Sequence, residues 1–340
     1  MSKIVIVGEA WGAAEEEARL PFVGASGKFL RKMLRMAGID PQSCFFTNVF
    51  NLRPQGHGFA ANDVKNLCGP KHSAIPGFPA YERGKYIRAE YQPELDRLFE
   101  EIKRESPNLI IALGNTACWA LIHQTKISQI RGAPAWSEHL GVKVLPTLHP
   151  AAVLRNYKDY PVVVKDFAKA AKESESPELH RPARTIYIEP TYDDLLSFER
   201  EHIAPSPLLS VDIETAARDI TCIGFAPSTS CALVIPFHDP TKADGNYWPD
   251  LDTEVAVWSI VRRWCALPKS VFVGQNFNYD MRFLWDSYGI ACPTATDDIM
   301  LMHHAMQPEL KKSLGFMGTI YTDELSWKFM RPKHTVKKED

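Results

Sequence analysis

The sequence has few features that mark a membrane, secreted or zinc-stapled protein. No apolar run approaches the ~20 residues needed to span a bilayer, and no charged-then-apolar leader precedes residue 8. The seven cysteines include no C-x-x-C pair, which disfavours a disulfide framework or a zinc site and favours a reduced, cytoplasmic setting. The net charge is −2, so no overall basic field indicates nucleic-acid binding, although a local basic face is compatible with it.

The chain has the length and segment pattern of two α/β domains. At 340 residues it is long for one hydrophobic core. Strand-like and helix-like segments alternate over residues 1–173, which predicts a parallel-sheet α/β/α domain. Residues 174–183 are charged, contain proline and have few apolar side chains, so they are assigned as a linker. The alternation resumes over 184–340, with two strands predicted to be antiparallel.

The glycine-rich stretch GEAWGAAEEEARLPFVGASGKFL (8–30) raises the possibility of a nucleotide-binding loop. Its glycines at 8, 12, 24 and 27 do not fit G-x-G-x-x-G, and its run of acids would repel a phosphate. A P-loop is also disfavoured, because no Ser or Thr follows Lys28. The stretch therefore argues against a nucleotide-binding oxidoreductase.

Four ordered motifs in the first half resemble the uracil-DNA glycosylase superfamily, in its family-4-like branch. They are GEAWGAAE (8–15), PFVGASG (21–27), TNV (47–49) and HPAAVLR (149–155), and ALGNTA (112–117) is similar to the family's strand-to-helix turn. The resemblance covers about half the chain and implies excision of uracil from DNA. Such an enzyme pulls the base out of the stack into a tight pocket.

The resemblance implies a role for each residue of the pocket. Phe22 would stack on the flipped base, and Asn48 would pair with the uracil edge through one donor and one acceptor. A neutral His149 would donate to a uracil oxygen as negative charge develops there, and Glu9 would orient the attacking water. Each residue also has a plainer explanation: a core aromatic, a loop cap, a strand end and a solvated acid.

The last motif, HPAAVLR (149–155), contains Leu154 and Arg155. The resemblance implies that Leu154 is a wedge and that Arg155 contacts a phosphate.

Two departures from the family's pattern bear on activity. Trp11 replaces the family's proline beside the expected water site. Family members also carry four cysteines for an iron–sulfur cluster, but this sequence has no cysteines before its first strand and has NLRP (51–54) where a third is expected, so no cluster is predicted.

The second half resembles the DEDD 3′–5′ exonucleases of family A DNA polymerases, which have a ribonuclease-H-like fold. The motifs are SVDIET (210–215) and GQNFNYDMRFL (274–284). Asp212 and Glu214 alternate along one strand and so share a face, and Asp280 would return a third carboxylate to them. Such clusters bind two Mg²⁺ or Mn²⁺ ions about 4 Å apart.

The fourth carboxylate of such a site, usually in a Tyr-x-x-x-Asp helix, has no counterpart: Leu325 stands at the required offset from Tyr321. Asp297 or Asp298 is expected to cap a helix instead, while His304 and Glu309 come too early for an alternative motif. The exonuclease domain is thus predicted to lack its last motif before the charged KKED end. Weak or absent exonuclease activity follows.

The sequence as a whole predicts a phage-type DNA replication or repair protein, the N-terminal part of a family A DNA polymerase. Its partners would be uracil-containing DNA, single-stranded or at a duplex end, and a polymerase domain or subunit. No membrane partner is expected, and a phage protein would act in the host cytoplasm. The alternative is a catalytically degenerate module that holds DNA for a polymerase. Intact site residues favour the enzyme, and Trp11 with the missing acid favours the alternative.

Overall fold

A computed structural model describes residues 3–56, 58–216 and 218–324 of the chain. The charged end 337–340 and the offset position Leu325 lie outside the described residues. None of the described helices is long and apolar enough to cross a membrane.

The chain divides into two compact units. The first comprises residues 1–180 together with the stretch from residue 315 onward, and the second is Arg181–Leu314. The predicted boundaries, with a linker at 174–183, stay predictions. Residues 315–324 differ from the expected assignment, since they pack within the first unit although the sequence pattern placed them in the second domain.

The elements of the first unit follow an alternating β/α order. The strands are Ile4–Ala10 (β1), Cys44–Phe50 (β2), Cys68–Gly69 (β3), Tyr86–Ile87 (β4), Leu109–Leu113 (β5), Ala135–Ser137 (β6) and Val142–Thr147 (β7). The helices are Ala13–Ala18 (α1), Ala25–Met36 (α2), Gln92–Glu105 (α3), Gly114–Ile122 (α4), Ile127–Ile130 (α5), Pro150–Arg155 (α6) and Tyr160–Glu173 (α7).

The main sheet of this unit has the order β2-β1-β5-β7-β6, with β6 antiparallel at the edge and the other four strands parallel. Side chains alternate across it. Ile4 and Ile6 face α2 and α7, whereas Val5 and Val7 face α3 and α4. The sheet is therefore covered by helices on both sides, which confirms the predicted α/β/α architecture.

The second unit is built on one mixed sheet. Its strands are Thr185–Tyr187 (β8), Leu208–Ala216 (β9), Asp219–Ser228 (β10), Cys231–Pro236 (β11), Val271–Gly274 (β12) and Ala295–Asp298 (β13). Its helices are Tyr192–Phe198 (α8), Leu251–Cys265 (α9), Asn278–Tyr288 (α10) and Ile299–Met306 (α11), and the last described helix, Leu314–Tyr321 (α12), starts at the end of this unit.

The strand order is β13-β12-β9-β10-β11-β8. β9, β10 and β11 form an antiparallel meander, and β12 and β13 continue the sheet in parallel beside β9. A meander followed by two parallel strands on the side of its first strand is the ribonuclease-H-like arrangement predicted from the sequence. The antiparallel pairing predicted for β10 and β11 is confirmed.

The two faces of β9 differ in burial. Val211 and Ile213 are buried in the core of the unit, whereas Asp212 is exposed and Glu214 is half-buried. Only one face of β9 is covered, because the alternate positions carry the carboxylates.

Candidate active site

The four glycosylase-like motifs meet at the carboxyl ends of the parallel strands of the first unit. Gly8 on β1 lies directly beside Asn48 on β2, and His149 follows the end of β7. The open end of a parallel sheet is where α/β proteins usually bind ligands. A cavity of about 370 Å³ lies there. Its walls include five of the predicted residues: Glu9, Phe22, Asn48, His149 and Arg155.

Phe22 has a backbone conformation that is rare for an aromatic residue, with φ = 57°. Strain of this kind concentrates at functional sites. The ring is 4% exposed and makes an edge contact with Phe46 at 5.8 Å. Gly27 permits this loop, because a Cβ there would lie 2.0 Å from the Phe22 carbonyl oxygen.

Gly8 permits a close approach between two side chains of the cavity wall. A Cβ on Gly8 would lie 2.3 Å from Asn48 Oδ1 and 2.5 Å from Phe22 Cζ. The glycines of the first two motifs therefore let two side chains meet over bare backbone. The sequence analysis excluded a phosphate loop but did not find this reason for the glycines.

Asn48 is buried and lines the cavity, and the hydrogen bonds that it makes with described residues use its backbone rather than its side-chain amide. Its backbone carbonyl accepts a bond of 2.8 Å from the Arg97 guanidinium, which fixes the strand end. A buried amide normally has partners. This one keeps a donor and an acceptor available at the cavity.

His149 caps the N-terminus of α6. Its Nδ1 accepts a hydrogen bond from the Ala151 amide at 3.2 Å. Burial lowers the pKa of His149 to about 4, with the Arg155 charge acting in the same direction and Glu15 opposing it. The ring is thus neutral near pH 7. Since Nδ1 accepts, the proton of the neutral ring sits on Nε2, which is left as a donor.

Glu9 is held by a chain of hydroxyls that the sequence analysis missed. Thr116 Oγ1 donates to Glu9 Oε2 at 2.5 Å, and Tyr81 Oη lies 3.0 Å from Thr116 Oγ1. Burial raises the pKa of Glu9, and the Thr116 hydrogen bond partly offsets this. The signal for Thr116 was its place in ALGNTA (112–117); Tyr81 had none.

Two more side chains of the cavity wall had no assigned role. Glu15 is buried and accepts a bond of 2.8 Å from the Gly24 amide, which ties the first motif to the second. Trp11 also lines the cavity, and its Nε1 is buried without a hydrogen-bond partner among the described residues. The departure from the family's proline thus adds an unpaired donor.

Leu154 and Arg155 lie at the end of α6 and are both exposed. Arg155 lines the cavity, whereas Leu154 is 47% exposed and is not among the lining residues. The roles of wedge and phosphate contact stay predictions.

The predicted acids of the second unit are neighbours. Asp280 on α10 is buried, and its Oδ1 accepts a bond of 3.0 Å from the Ile213 amide, between Asp212 and Glu214 on β9. Burial raises the pKa of Asp280 to about 6, and the charges of Asp212 and Asp298 act in the same direction.

Asp298 accepts hydrogen bonds from the backbone amides of Met300 at 2.8 Å and Phe277 at 2.9 Å. It is the N-cap of α11, one of the two residues, Asp297 and Asp298, that the sequence offered for this role.

The donor set around Asp280 does not fit a resident Mg²⁺ or Mn²⁺ ion. One of its oxygens is engaged by a backbone amide. Across the part of the chain that the structure describes, no three Asp, Glu, His or Cys side chains lie close enough together to hold a metal. His304 and Glu309 are exposed on or near α11 and add no third ligand.

Comparison with known proteins supports the glycosylase resemblance. The model of the uracil DNA glycosylase superfamily matches residues 1–173. The type-4 uracil-DNA glycosylase of Thermotoga maritima is 30% identical over 174 residues, which cover 50% of this chain and 76% of the relative. The Pyrobaculum aerophilum enzyme is 34% identical, with coverage of 45% and 68%.

A second relative spans both units. The DNA polymerase of Bacillus phage SP01 is 23% identical over 332 residues, which is 89% of this chain but 32% of the polymerase. The resemblance to a phage DNA polymerase is thereby confirmed.

Among solved structures, Escherichia coli RNase D has a TM-score of 0.32 at 15% identity and matches 44% of this chain and 36% of its own. The EXD2 exonuclease domain soaked in Mg has a TM-score of 0.26 at 16% identity and matches 36% of this chain and 58% of its own. These likenesses are too weak to carry an argument, so the fold of the second unit rests on its strand order.

The match to the family model covers half the chain and agrees with the motifs and the cavity. This chain belongs to the uracil DNA glycosylase superfamily, a family of hydrolases.

Proposed function

We propose that the first unit removes uracil from DNA by hydrolysing its N-glycosidic bond. The observation that carries the proposal is one cavity with a neutral histidine donor, an unpaired asparagine amide and a buried carboxylate. Uracil offers both oxygens and an N–H, so it can satisfy the Asn48 amide, while Phe22 supplies an aromatic face. Cytosine reverses the donor and the acceptor at these two positions, so an amide held in the uracil-pairing orientation would reject it.

The chemistry divides between two side chains. The bond from C1′ to the uracil nitrogen breaks with its electron pair moving to the base, and the Nε2–H of His149 donates to a uracil oxygen as that charge develops. Water attacks C1′, and Glu9 accepts its proton. The raised pKa of Glu9 makes it a stronger base than an exposed carboxylate.

Release of free uracil from a single-uracil oligonucleotide, in EDTA, tests this proposal. His149→Ala and Asn48→Ala should each lower the single-turnover rate by roughly tenfold to a thousandfold, as expected for one lost transition-state donor. His123→Ala is the matched control, because His123 lines a different cavity of the same unit.

Wild-type protein that binds uracil-containing DNA but releases no uracil would favour the alternative, a degenerate module that grips DNA for a polymerase. Equal loss in His149→Ala and His123→Ala would remove His149 from the site.

For the second unit, metal-dependent 3′–5′ exonuclease action remains a proposal, and the arrangement around Asp280 supports only weak activity. DNA binding in service of a polymerase is the role it supports better. The test is digestion of a labelled single strand in Mn²⁺ or Mg²⁺, with Asp212→Ala as the blank. Little digestion above the blank is expected. Rapid digestion that Asp212→Ala abolishes would show that another acid completes the site, with Asp298 and Glu309 first to test.

A further inference from the structure

The last described residues of the chain, 315–324, pack on the glycosylase unit through buried polar contacts. We call this segment the C-terminal strap. Thr319 Oγ1 accepts a hydrogen bond of 2.9 Å from Arg131 and donates to the Phe316 carbonyl at 2.8 Å. Lys169 donates to the carbonyls of Thr319, at 2.8 Å, and of Thr322. These contacts are too specific for a loosely adhering tail.

The Arg131 guanidinium connects the strap to the interior of the unit. Its Nε donates to Asp166 Oδ2 at 3.0 Å, and its Nη2 donates to Asp166 Oδ1. Arg131 is 2% exposed and Asp166 is fully buried. A buried ion pair is costly unless its remaining donors are satisfied, and the strap supplies the partner for Nη1.

Asp166 in turn holds the strand that delivers the candidate catalytic histidine. Its Oδ2 accepts a bond of 2.6 Å from Thr147 Oγ1, at the last residue of β7. The Gly132 amide also donates to the Pro146 carbonyl at 2.8 Å. Two residues beyond Thr147 the chain reaches His149.

We propose that the strap positions His149: it fixes Arg131, Arg131 fixes Asp166, and Asp166 fixes the end of β7 through Thr147. The inference rests on the proposed glycosylase function. In this view Arg131, Asp166, Thr147 and Thr319 are positioning residues and touch no substrate. Because residue 315 directly follows the second unit in the chain, the strap is a covalent route from that unit to the glycosylase site.

Gly132 shows how closely these parts fit. A Cβ there would lie 2.7 Å from both Asp166 Oδ1 and the Thr319 carbonyl oxygen. Its φ of 78° also favours glycine. The turn that carries Arg131 therefore meets the strap at a point with no spare room.

The test uses the full chain and two variants at one position. Thr319→Val removes the hydroxyl at nearly constant volume, and Thr319→Ser keeps it. Thr319→Val should lower kcat for uracil release by on the order of tenfold with little change in KM, because a displacement of about 1 Å at a reacting group can cost ~100-fold. Thr319→Ser should restore most of the rate.

Ser137→Ala is the control for general loss of a buried hydroxyl. Ser137 is fully buried, its hydroxyl donates to the Leu121 carbonyl, and it pairs with Val142 at the end of β7 opposite to Thr147. It should destabilise the unit without changing kcat. If Thr319→Val and Ser137→Ala changed kcat equally, or if neither did, the positioning role would be overturned.

A second readout separates this inference from the proposed function. The Ala151 amide bonds His149 Nδ1, so its hydrogen exchange reports on the histidine whether or not uracil is released. Exchange over residues 147–155 should quicken in Thr319→Val and not in Ser137→Ala. If the wild-type protein released no uracil but the variants showed that exchange pattern, the proposed glycosylase function would be refuted and the positioning role of the strap would stand. If the wild-type protein were active but exchange were unchanged in Thr319→Val, the positioning role would be refuted and the glycosylase function would stand.

Discussion

The two units of this protein each gather acids and polar side chains at a strand end, but they do so to different degrees. In the first unit, the buried polar groups are held by hydrogen bonds from the protein interior and keep other donors or acceptors open toward the cavity. Glu9 accepts a hydrogen bond from the Thr116 hydroxyl, and His149 accepts one from the Ala151 amide. The side-chain amide of Asn48 makes no hydrogen bond with the described residues of the unit. In the second unit, Asp280 accepts a hydrogen bond from a backbone amide of β9, and its charged form is destabilised by burial and by the neighbouring charges of Asp212 and Asp298.

The difference shows what separates a complete site from a partial one. In a preorganised site, hydrogen bonds from the surrounding protein hold the side chains in place, so that only the groups that contact the ligand stay unpaired. The cavity beside Gly8 meets that condition. The acids beside Ile213 are close together without forming a ligand set among the described residues.

The largest effect on uracil release is expected at Gly8, where two side chains of the cavity wall pack against bare backbone. Gly8→Ala would place a Cβ within 2.3 Å of Asn48 Oδ1, so Asn48 and Phe22 must both move. Uracil release should fall by more than about 100-fold, the cost of displacing reacting groups by about 1 Å. Gly224→Ala in the second unit is the control, because its Cβ would have only an ordinary contact at 3.8 Å. A Gly8→Ala protein with normal activity would show that the cavity tolerates a different arrangement.

The second prediction concerns the raised pKa of Asp280. The folded value of about 6 exceeds the usual 3.8, so the unfolded chain loses this proton first and folding stability falls as pH rises from about 4 to 6. Above pH 6 the full cost remains. Asp280→Asn keeps an oxygen for the Ile213 amide and removes the charge, so it should stabilise the protein at pH 7 by about 1–3 kcal/mol.

Denaturant unfolding across pH 4–7 measures that gain. Asp286→Asn on the same helix serves as the control, since Asp286 pairs with Arg282 on the surface and should matter little. If Asp280→Asn were less stable than wild type at pH 7, the folded state would favour the carboxylate charge. The acid of the second unit would then be supported by its surroundings, as the polar groups of the first unit are.

The sequence predicted the architecture well because both signals it used are local. Apolar alternation in β1 and helical periodicity in α2 report directly on which face is covered. Five of the residues named from the motifs also line one cavity. Phe22 and Asn48 come from distant segments, yet the parallel register of Gly8 with Asn48 brings them together.

The supporting contacts could not be predicted in the same way. Tyr81 and Thr116 are 35 residues apart and meet only through the fold. The sequence pattern placed residues 315–324 in the second domain, whereas they pack within the first unit, because an apolar pattern shows that a segment packs but not against which unit. The state of Asp280 depends on its burial and on Ile213, neither of which the DIE motif reveals.

The third prediction tests whether the Thr116 hydroxyl tunes the proposed base. Thr116→Val removes the donor to Glu9, so the pKa of Glu9 should rise further and the acidic limb of the pH–rate profile should move to higher pH. A fall of about tenfold in rate at pH 7 is expected for the loss of one charge-assisted hydrogen bond. Thr116→Ser should return both rate and profile toward wild type. An acidic limb that stays in place would mean that Glu9 does not act as the base.

The smallest effect is expected at Trp11, where an unpaired N–H lies in the wall of the cavity. A buried donor without an acceptor costs about 1–3 kcal/mol, so its persistence favours a partner that arrives with the substrate. Trp11→Phe should therefore stabilise the free protein slightly and raise KM for uracil-containing DNA about threefold. Trp248 in the second unit has the same unpaired Nε1 among the described residues, and Trp248→Phe should give the stability gain with no kinetic change. If Trp11→Phe also left KM unchanged, the indole would be a structural replacement for the family's proline, and the first site would take up substrate without it.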